Sequence, residues 1–272
     1  YFFTYEGKGM VIDPGFNFID LLLEPLPLSI KDVDGTIVTH DHPDHCHDLE
    51  SLITLLYTLE RKCGIQQRMH LFCNKNVRDK YEYLFRNNAT RLILQILTSS
   101  QIQDLTRDYG YILHTVPTFH SEICGTTNCG FGIKFKTKDG FTLGITGDTA
   151  WYDDLVRQYA DVDLLIVHLG TVEDKHGVGD HLGTEGIIRL LKRIRSSNSS
   201  KPKLVVVSEF GEEIGEHRKV VIKRLVDESN VKEIVPADAN PLRIKIPSLE
   251  IHCKGGSWKN FNSMRVNYDE PQ

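Results

Sequence analysis

One short run constrains this chain more than any other: the segment THDHPDHCHD, Thr39 to Asp48, directly follows the apolar, β-branched stretch GTIV, Gly35 to Val38. Five of the six residues from His40 to His45 are imidazoles or carboxylates. A loop at the end of a buried strand can turn alternate side chains inward. His40 and His42 can then serve one cation while Asp44 and His45 serve a second, because imidazole and carboxylate together suit zinc, manganese or iron. A solvated histidine-rich loop is the plainer alternative, but chance seldom puts this density of donors right after a buried strand.

The rest of the chain alternates between two periodicities. Short β-branched runs at Gly9–Asp13, Gly35–Thr39, Tyr111–Val116, Gly130–Lys136, Phe141–Thr146, Asp163–Val167 and Lys203–Val207 predict strands. Helical spacing is found at Asp48–Arg61, with Leu49, Leu52, Ile53, Leu56 and Leu59 on one face, at Thr184–Ile194 and at Glu216–Glu228. Strands outnumber helices, so layered sheets with helices outside are expected, an α/β or α+β sandwich. At 272 residues and 40% hydrophobic content, residues 1–272 are read as one domain with a sizeable core. The segment Ser196–Pro202 reads as a surface loop between a helix and a strand.

Composition narrows the setting. A formal charge of -5 gives no global field to attract polyanions, so any nucleic-acid contact has to be local. Six cysteines, at 46, 63, 73, 124, 129 and 253, are scattered through a chain too large to need disulfide staples, and no secretory leader pattern opens it; a reduced, cytoplasmic setting is expected. No apolar stretch approaches the roughly 20 residues that cross a bilayer, so no membrane role is expected. The chain opens inside what reads as a strand pair, YFFTYEGKGMVIDPG, which points to a missing first strand or an additional domain upstream. A homodimer is compatible with the sequence.

The motif HxHxDH after a strand, preceded by VIDPG from Val11 to Gly15, resembles the metallo-β-lactamase superfamily. The resemblance continues in order: a histidine closes VPTFH at His120, Gly147-Asp148-Thr149 follows a strand, and DLLIVH ends at His168. It runs roughly from residue 9 to residue 240 and implies a four-layer αββα sandwich of two mixed sheets with helices outside. It further implies that His120 completes the first metal site with His40 and His42, and that Asp148 bridges both ions. Two divalent metals, zinc first and manganese or iron as alternatives, would then hold a hydroxide that attacks an electrophile while both stabilise developing negative charge. Asp13 is expected beneath the site, orienting a metal-bound histidine. The bland reading of Gly-Asp-Thr alone is a strand-exit turn; the preceding cluster reverses it.

The pattern departs from the family at the late strand, where a last histidine usually serves the second metal. Pro202 to Glu213 offers Ser208, Glu209 and Phe210 instead, and Glu209 is the candidate replacement, against a surface glutamate at a strand end. A carboxylate there is a harder ligand, more tolerant of manganese or iron. His181, heading a helix, resembles the histidine that contacts the scissile phosphate or protonates the leaving group in the RNase Z and RNase J branch. Asp44 and His181 are therefore the candidate catalytic groups. His168 is expected near the centre without being a regular ligand. The six other histidines, at 47, 70, 114, 176, 217 and 252, match no motif position. Cys124 and Cys129 lack the second pair that a tetrahedral site requires and read as loop thiols.

A two-metal hydroxide suits many hydrolyses, so the site alone does not choose a substrate. The arrangement around His181 favours phosphodiester cleavage, by a nuclease or phosphodiesterase acting on nucleic acid or a small phosphodiester. The long tRNA-holding arm of RNase Z and the extra domain of RNase J are not recognised. A lactonase-type or other small-molecule ester hydrolase is the alternative, and a catalytically degenerate metal-binding or sensor module is the reading from another class. Lys192, Arg193, Arg195, Lys201 and Lys203 are candidate phosphate contacts, although on a helix such residues more often form a solvated face.

Overall fold

The computed structural model describes residues 1–23, 28–64, 66–123, 129–171, 181–210, 218–237 and 242–253. Contacts group these into two compact units, one of residues 1–117 and 121–131, the other of residues 118–120 and 132 onward.

In the first unit, β1 (Phe2–Tyr5), β2 (Lys8–Ile12), β3 (Gly35–Val38), β4 (Met69–Cys73) and β5 (Leu92–Ile96) form a sheet in that order. β1 and β2 are an antiparallel hairpin closed by Glu6 and Gly7, both at positive φ (49° and 74°), the backbone that a two-residue hairpin turn requires. β2 to β5 are parallel, so each needs a crossover. These contain α1 (Phe18–Leu23), α2 (Pro43–Cys46), α3 (Leu49–Cys63), α4 (Lys75–Lys80) and α5 (Glu82–Asn87). Every residue of β3 is buried, as its unbroken β-branched run requires of a central parallel strand. The hairpin of β6 (Ile102–Leu105) and β7 (Tyr111–Pro117) also belongs to this unit.

The α3 stripe lies as its spacing predicts. Leu49, Leu52, Ile53, Leu56 and Leu59 are buried, and the first four pack with Val11, Val38, Met69 and Leu71 of the sheet. The helix stops at Gly64, whose left-handed φ of 66° presents its N–H to the Glu60 carbonyl.

In the second unit, β8 (Phe131–Thr137), β9 (Thr142–Ile145), β10 (Leu164–His168), β11 (Leu204–Ser208) and β12 (Ile234–Pro236) run in the order β12-β11-β10-β9-β8. β8 and β9 are antiparallel, whereas β9 to β12 are parallel. The helices α6 (Leu155–Tyr159), α7 (Thr184–Ser197) and α8 (Arg218–Ser229) accompany them, with α7 in contact with both others. α7 buries Ile187, Ile188, Leu190, Leu191 and Ile194, the face its sequence spacing predicts. Residues 216 and 217, included in the expected third helix, lie outside the described residues. A small hairpin, β13 (Leu242–Lys245) and β14 (Glu250–Cys253), ends the described chain.

Each unit thus has a mixed sheet with helices packed on it, the two-sheet α/β construction expected. No helix among the described residues is long and apolar enough to cross a membrane. Cys46, Cys63, Cys73 and Cys129 are free thiols, and Cys124 lies outside the described residues. Leu52 is fully buried at the centre of the first core, so Leu52→Ala is expected to cost about 2–5 kcal/mol in urea unfolding; a loss below about 1 kcal/mol would show that α3 does not carry that core.

Candidate metal centre

In the first unit the donors follow β3, whose end is pinned by a buried carboxylate. Asp13, just past β2 at φ 49°, accepts the Thr39 backbone N–H at 2.7 Å and the Thr39 hydroxyl at 2.8 Å, and lies 3.0 Å from His45 Nδ1. The hydroxyl proton of Thr39 is therefore committed to Asp13. His40 Nδ1, 3.1 Å from the same hydroxyl, then acts as the donor in that contact. Both rings are so fixed with the proton on Nδ1, which leaves Nε2 as the nitrogen able to coordinate a cation in each. This is the orienting role expected of Asp13, extended through Thr39 to a second histidine.

The ring of His40 lies 4.0 Å from that of His45 and 4.8 Å from that of His42, centroid to centroid. His40 and His45 are buried, and His42 is partly exposed. Asp44 is 59% exposed, with Oδ2 3.7 Å from His45 Nε2. A Cβ on Gly15 would come within 1.6 Å of the Asp44 carbonyl oxygen, so a glycine is needed where this loop crosses the donor loop.

A second ring of support was not foreseen. Asn74 donates to the Thr39 carbonyl at 3.3 Å and to both oxygens of buried Glu122 at 3.1 and 2.9 Å, while its own carbonyl caps α4 at Val77. Burial pushes the Glu122 carboxyl above its usual range despite the lowering hydrogen bonds from Asn74 and Asn76. Asp41, buried between the two histidines, accepts the Ile123 N–H at 3.0 Å, and Lys80 donates to its carbonyl at 2.5 Å. No spacing rule links residues 74 and 122 to the motif, because only tertiary structure brings them there.

In the second unit the parallel register sets the ends of β9, β10 and β11 together, Ile145 beside Ile166 and His168 beside Ser208. Outside the carboxyl ends of neighbouring parallel strands is where open α/β sheets collect ligands. There Asp148 Oδ1 lies 2.9 Å from His168 Nδ1, and Glu209 Oε2 lies 2.6 Å from the same nitrogen. One donor atom from each of Asp148, His168 and Glu209 lies within 4.8 Å of the others. Burial opposes a charge on His168, but the Glu209 carboxylate and the hydrogen bonds to Asp148 and Glu209 outweigh it and raise its pKa to about 9. Glu209 adopts φ 54°, turning the chain sharply at the strand end.

His120 Nε2 stands 3.7 Å from Asp148 Oδ2, and the loops carrying them are tied by Phe119 N–H to Thr149 Oγ1 (3.0 Å) and Ala150 N–H to the Phe119 carbonyl (2.8 Å). His181 Nδ1 is also 3.7 Å from Asp148 Oδ2, and its ring packs edge-on to His120 at 4.7 Å. His181 presses on Gly170, where an added Cβ would sit 2.4 Å from its Cβ and Cγ; nothing in the sequence marked this glycine.

Each unit therefore carries part of the expected set: the donors His40, His42, Asp44 and His45 in the first, and in the second the donors His120, Asp148 and Glu209 with the catalytic candidate His181, where His168 joins them more intimately than expected. Of the unassigned histidines, His70 lies against Tyr109 at 5.5 Å and exposed His47 pairs with Asp48 at 3.0 Å. His176 and His217 lie outside the described residues.

Mixed sheets flanked by helices, with imidazole and carboxylate side chains gathered at strand ends, are the construction of the metallo-β-lactamase fold. The chain belongs to the beta-lactamase superfamily domain family, whose sequence model matches residues 9–205. Among solved structures, the metallo-beta-lactamase fold protein YhfI from Bacillus subtilis is similar with a TM-score of 0.70 at 15% identity, over 87% of this chain and 86% of that one. A diphosphatase of the PhnP family matches with a TM-score of 0.63 at 18% identity, over 87% and 79%. A long form RNase Z from yeast matches with a TM-score of 0.57 at 11% identity, over 85% of this chain and 35% of that one. Such identities establish a shared fold and no more. A search of curated proteins returned no match.

Asp13→Ala is expected to weaken metal binding about 10–100-fold in a competition titration while the circular dichroism spectrum is kept, because it frees the His45 and His40 rings. Unaltered affinity would mean that Asp13 does not orient them.

Proposed function

We propose that this chain is a phosphodiester hydrolase working with two divalent cations, zinc in the first instance and manganese or iron otherwise. His40, His42 and His120 serve as donors to one, and Asp44, His45 and Glu209 to the other, with Asp148 shared. Imidazoles held with Nε2 as the coordinating nitrogen, and carboxylates gathered at strand ends, are a donor set suited to such ions. When bound, the ions supply Lewis acidity toward the phosphoryl oxygens and toward a water.

The observation that carries the phosphodiester reading is the setting of His181. Its side chain is 33% exposed, yet Nδ1 stands 3.7 Å from the nearly buried Asp148 carboxylate. An imidazole open to solvent on one side and to the site on the other can deliver a proton to a departing alkoxide. Asp44, more exposed still, is suited to accept the proton of the attacking water. The names of two like-folded proteins, a diphosphatase and an RNase Z, support phosphate chemistry for this fold.

The test is elemental analysis of the purified protein beside hydrolysis of bis-p-nitrophenyl phosphate. About two equivalents of metal and measurable turnover are expected, with Asp148→Ala losing both. His181→Ala is expected to lower kcat about 10²–10⁴-fold, and Gly170→Ala to lower it in the same direction by displacing that ring. A metal-loaded protein that cleaves no phosphodiester, or whose Asp148→Ala variant matches the parent rate, overturns the proposal.

A second reading rests on one contact: the Glu209 carboxylate lies 2.6 Å from His168 Nδ1 and can be committed to that imidazolium, leaving a single cation. Glu209→Ala separates the two, since metal stoichiometry falls if Glu209 is a ligand and stays constant if it only balances His168.

A further inference from the structure

Two groups stand out among the basic residues around α7. Lys201 and Lys203 both pair with Asp163, which is 5% exposed, and Arg195 reaches Glu233 at 3.7 Å. These cations are part of the scaffold. Arg189 and Arg193 differ: each side chain is 49% exposed, and the one carboxylate they share, Asp153, stands 3.6 and 3.5 Å away and is itself 85% exposed. So solvated an ion pair adds little and yields readily to a stronger anion.

What holds the two arginines is a ring. The guanidinium carbon of Arg189 lies 4.2 Å from the centroid of Trp151, and that of Arg193 lies 5.6 Å from it. Four residues apart on α7, they share a helix face. The indole restrains both guanidinium groups, and a restrained guanidinium suits a phosphate better than a mobile lysine does.

Trp151 is three residues beyond Asp148, so their Cα atoms are at most about 11 Å apart. Beside His120, the Phe119 ring is 48% exposed and rests on Tyr152 at 4.9 Å. Aromatic faces next to a basic pair are the elements with which proteins hold unpaired bases and their backbone. With an overall charge of -5, such a patch has to act locally.

We propose that Trp151, Arg189 and Arg193 form a subsite for the phosphate neighbouring the scissile one in a single-stranded nucleic acid, with Phe119 stacking the adjoining base. The inference rests on the phosphodiester reading and names its substrate class. A small phosphodiester has one phosphate, for the donor set; the paired guanidinium groups answer a second.

The test uses the whole chain and two readouts. Binding of a fluorescent single-stranded oligonucleotide is followed by anisotropy in EDTA, where no cation contributes. The double variant Arg189→Gln/Arg193→Gln is expected to weaken it tenfold or more and to reduce the slope of log Kd against log salt by about 0.7, one phosphate's share for single strands. Phe119→Ala is expected to weaken binding about tenfold with less change in that slope. In the metal-loaded enzyme, the double variant should lose at least ten times more kcat/KM on the oligonucleotide than on bis-p-nitrophenyl phosphate, chiefly through KM. Equal losses on both substrates, or oligonucleotide binding and salt slope unaltered in the double variant, overturn the subsite, as does tighter binding of duplex than of single strand. A parent that hydrolyses neither substrate but binds the oligonucleotide through the two arginines overturns the phosphodiesterase reading alone.

Discussion

Three polar groups converge on the single carboxyl group of Asp13. Its two oxygens take up the end of β3 through the Thr39 amide and hydroxyl and the Nδ1 edge of His45. Because a carboxylate only accepts, each of those contacts fixes a proton, and the pattern passes through Thr39 to His40. Two imidazoles on a short loop are thus held in one tautomer by a side chain 27 or more residues earlier, since His40 minus Asp13 is 27. Without it, the same rings could rotate or exchange tautomers, and a donor set would become a histidine-rich loop.

The second unit solves the opposite problem. Two carboxylates, Asp148 beyond β9 and Glu209 beyond β11, come close on either side of the end of β10, and like charges in a confined site repel. His168 stands between them and is held protonated well above its ordinary range. Orientation governs the first cluster and charge balance the second, and both follow from strand order, because parallel register delivers consecutive strand ends to one edge of the sheet.

Much of this was legible in the sequence. The central strands read out as unbroken β-branched runs, and α3 and α7 as stripes, because burial imposes those periods directly. The imidazoles and carboxylates following β3, His120 and Asp148 could be singled out because motif and chain order reinforce one another. Less legible were α4 and α5, six residues each, and β5, whose burial is irregular because it lies at the sheet edge. The Asn74–Glu122 support and the contact of Gly170 with His181 left no local trace, since each joins residues that only folding brings together. His168 was expected near the centre, but its pairing with Glu209 depends on the β10–β11 register. Lys201 and Lys203 were candidate phosphate contacts set against a solvated face, and both pair with Asp163, a partner their local sequence does not reveal.

The left-handed backbone at Glu209 bears on which side chains the turn beyond β11 can carry. Histidine, like asparagine and aspartate, enters that conformation more readily than most residues with a Cβ. The turn that ends β11 would therefore accept an imidazole as well as a carboxylate without rebuilding the strand. Whether this edge of the molecule presents an anionic oxygen or a neutral nitrogen is then decided by a single residue, and a nitrogen there gives up the charge that Glu209 sets against His168.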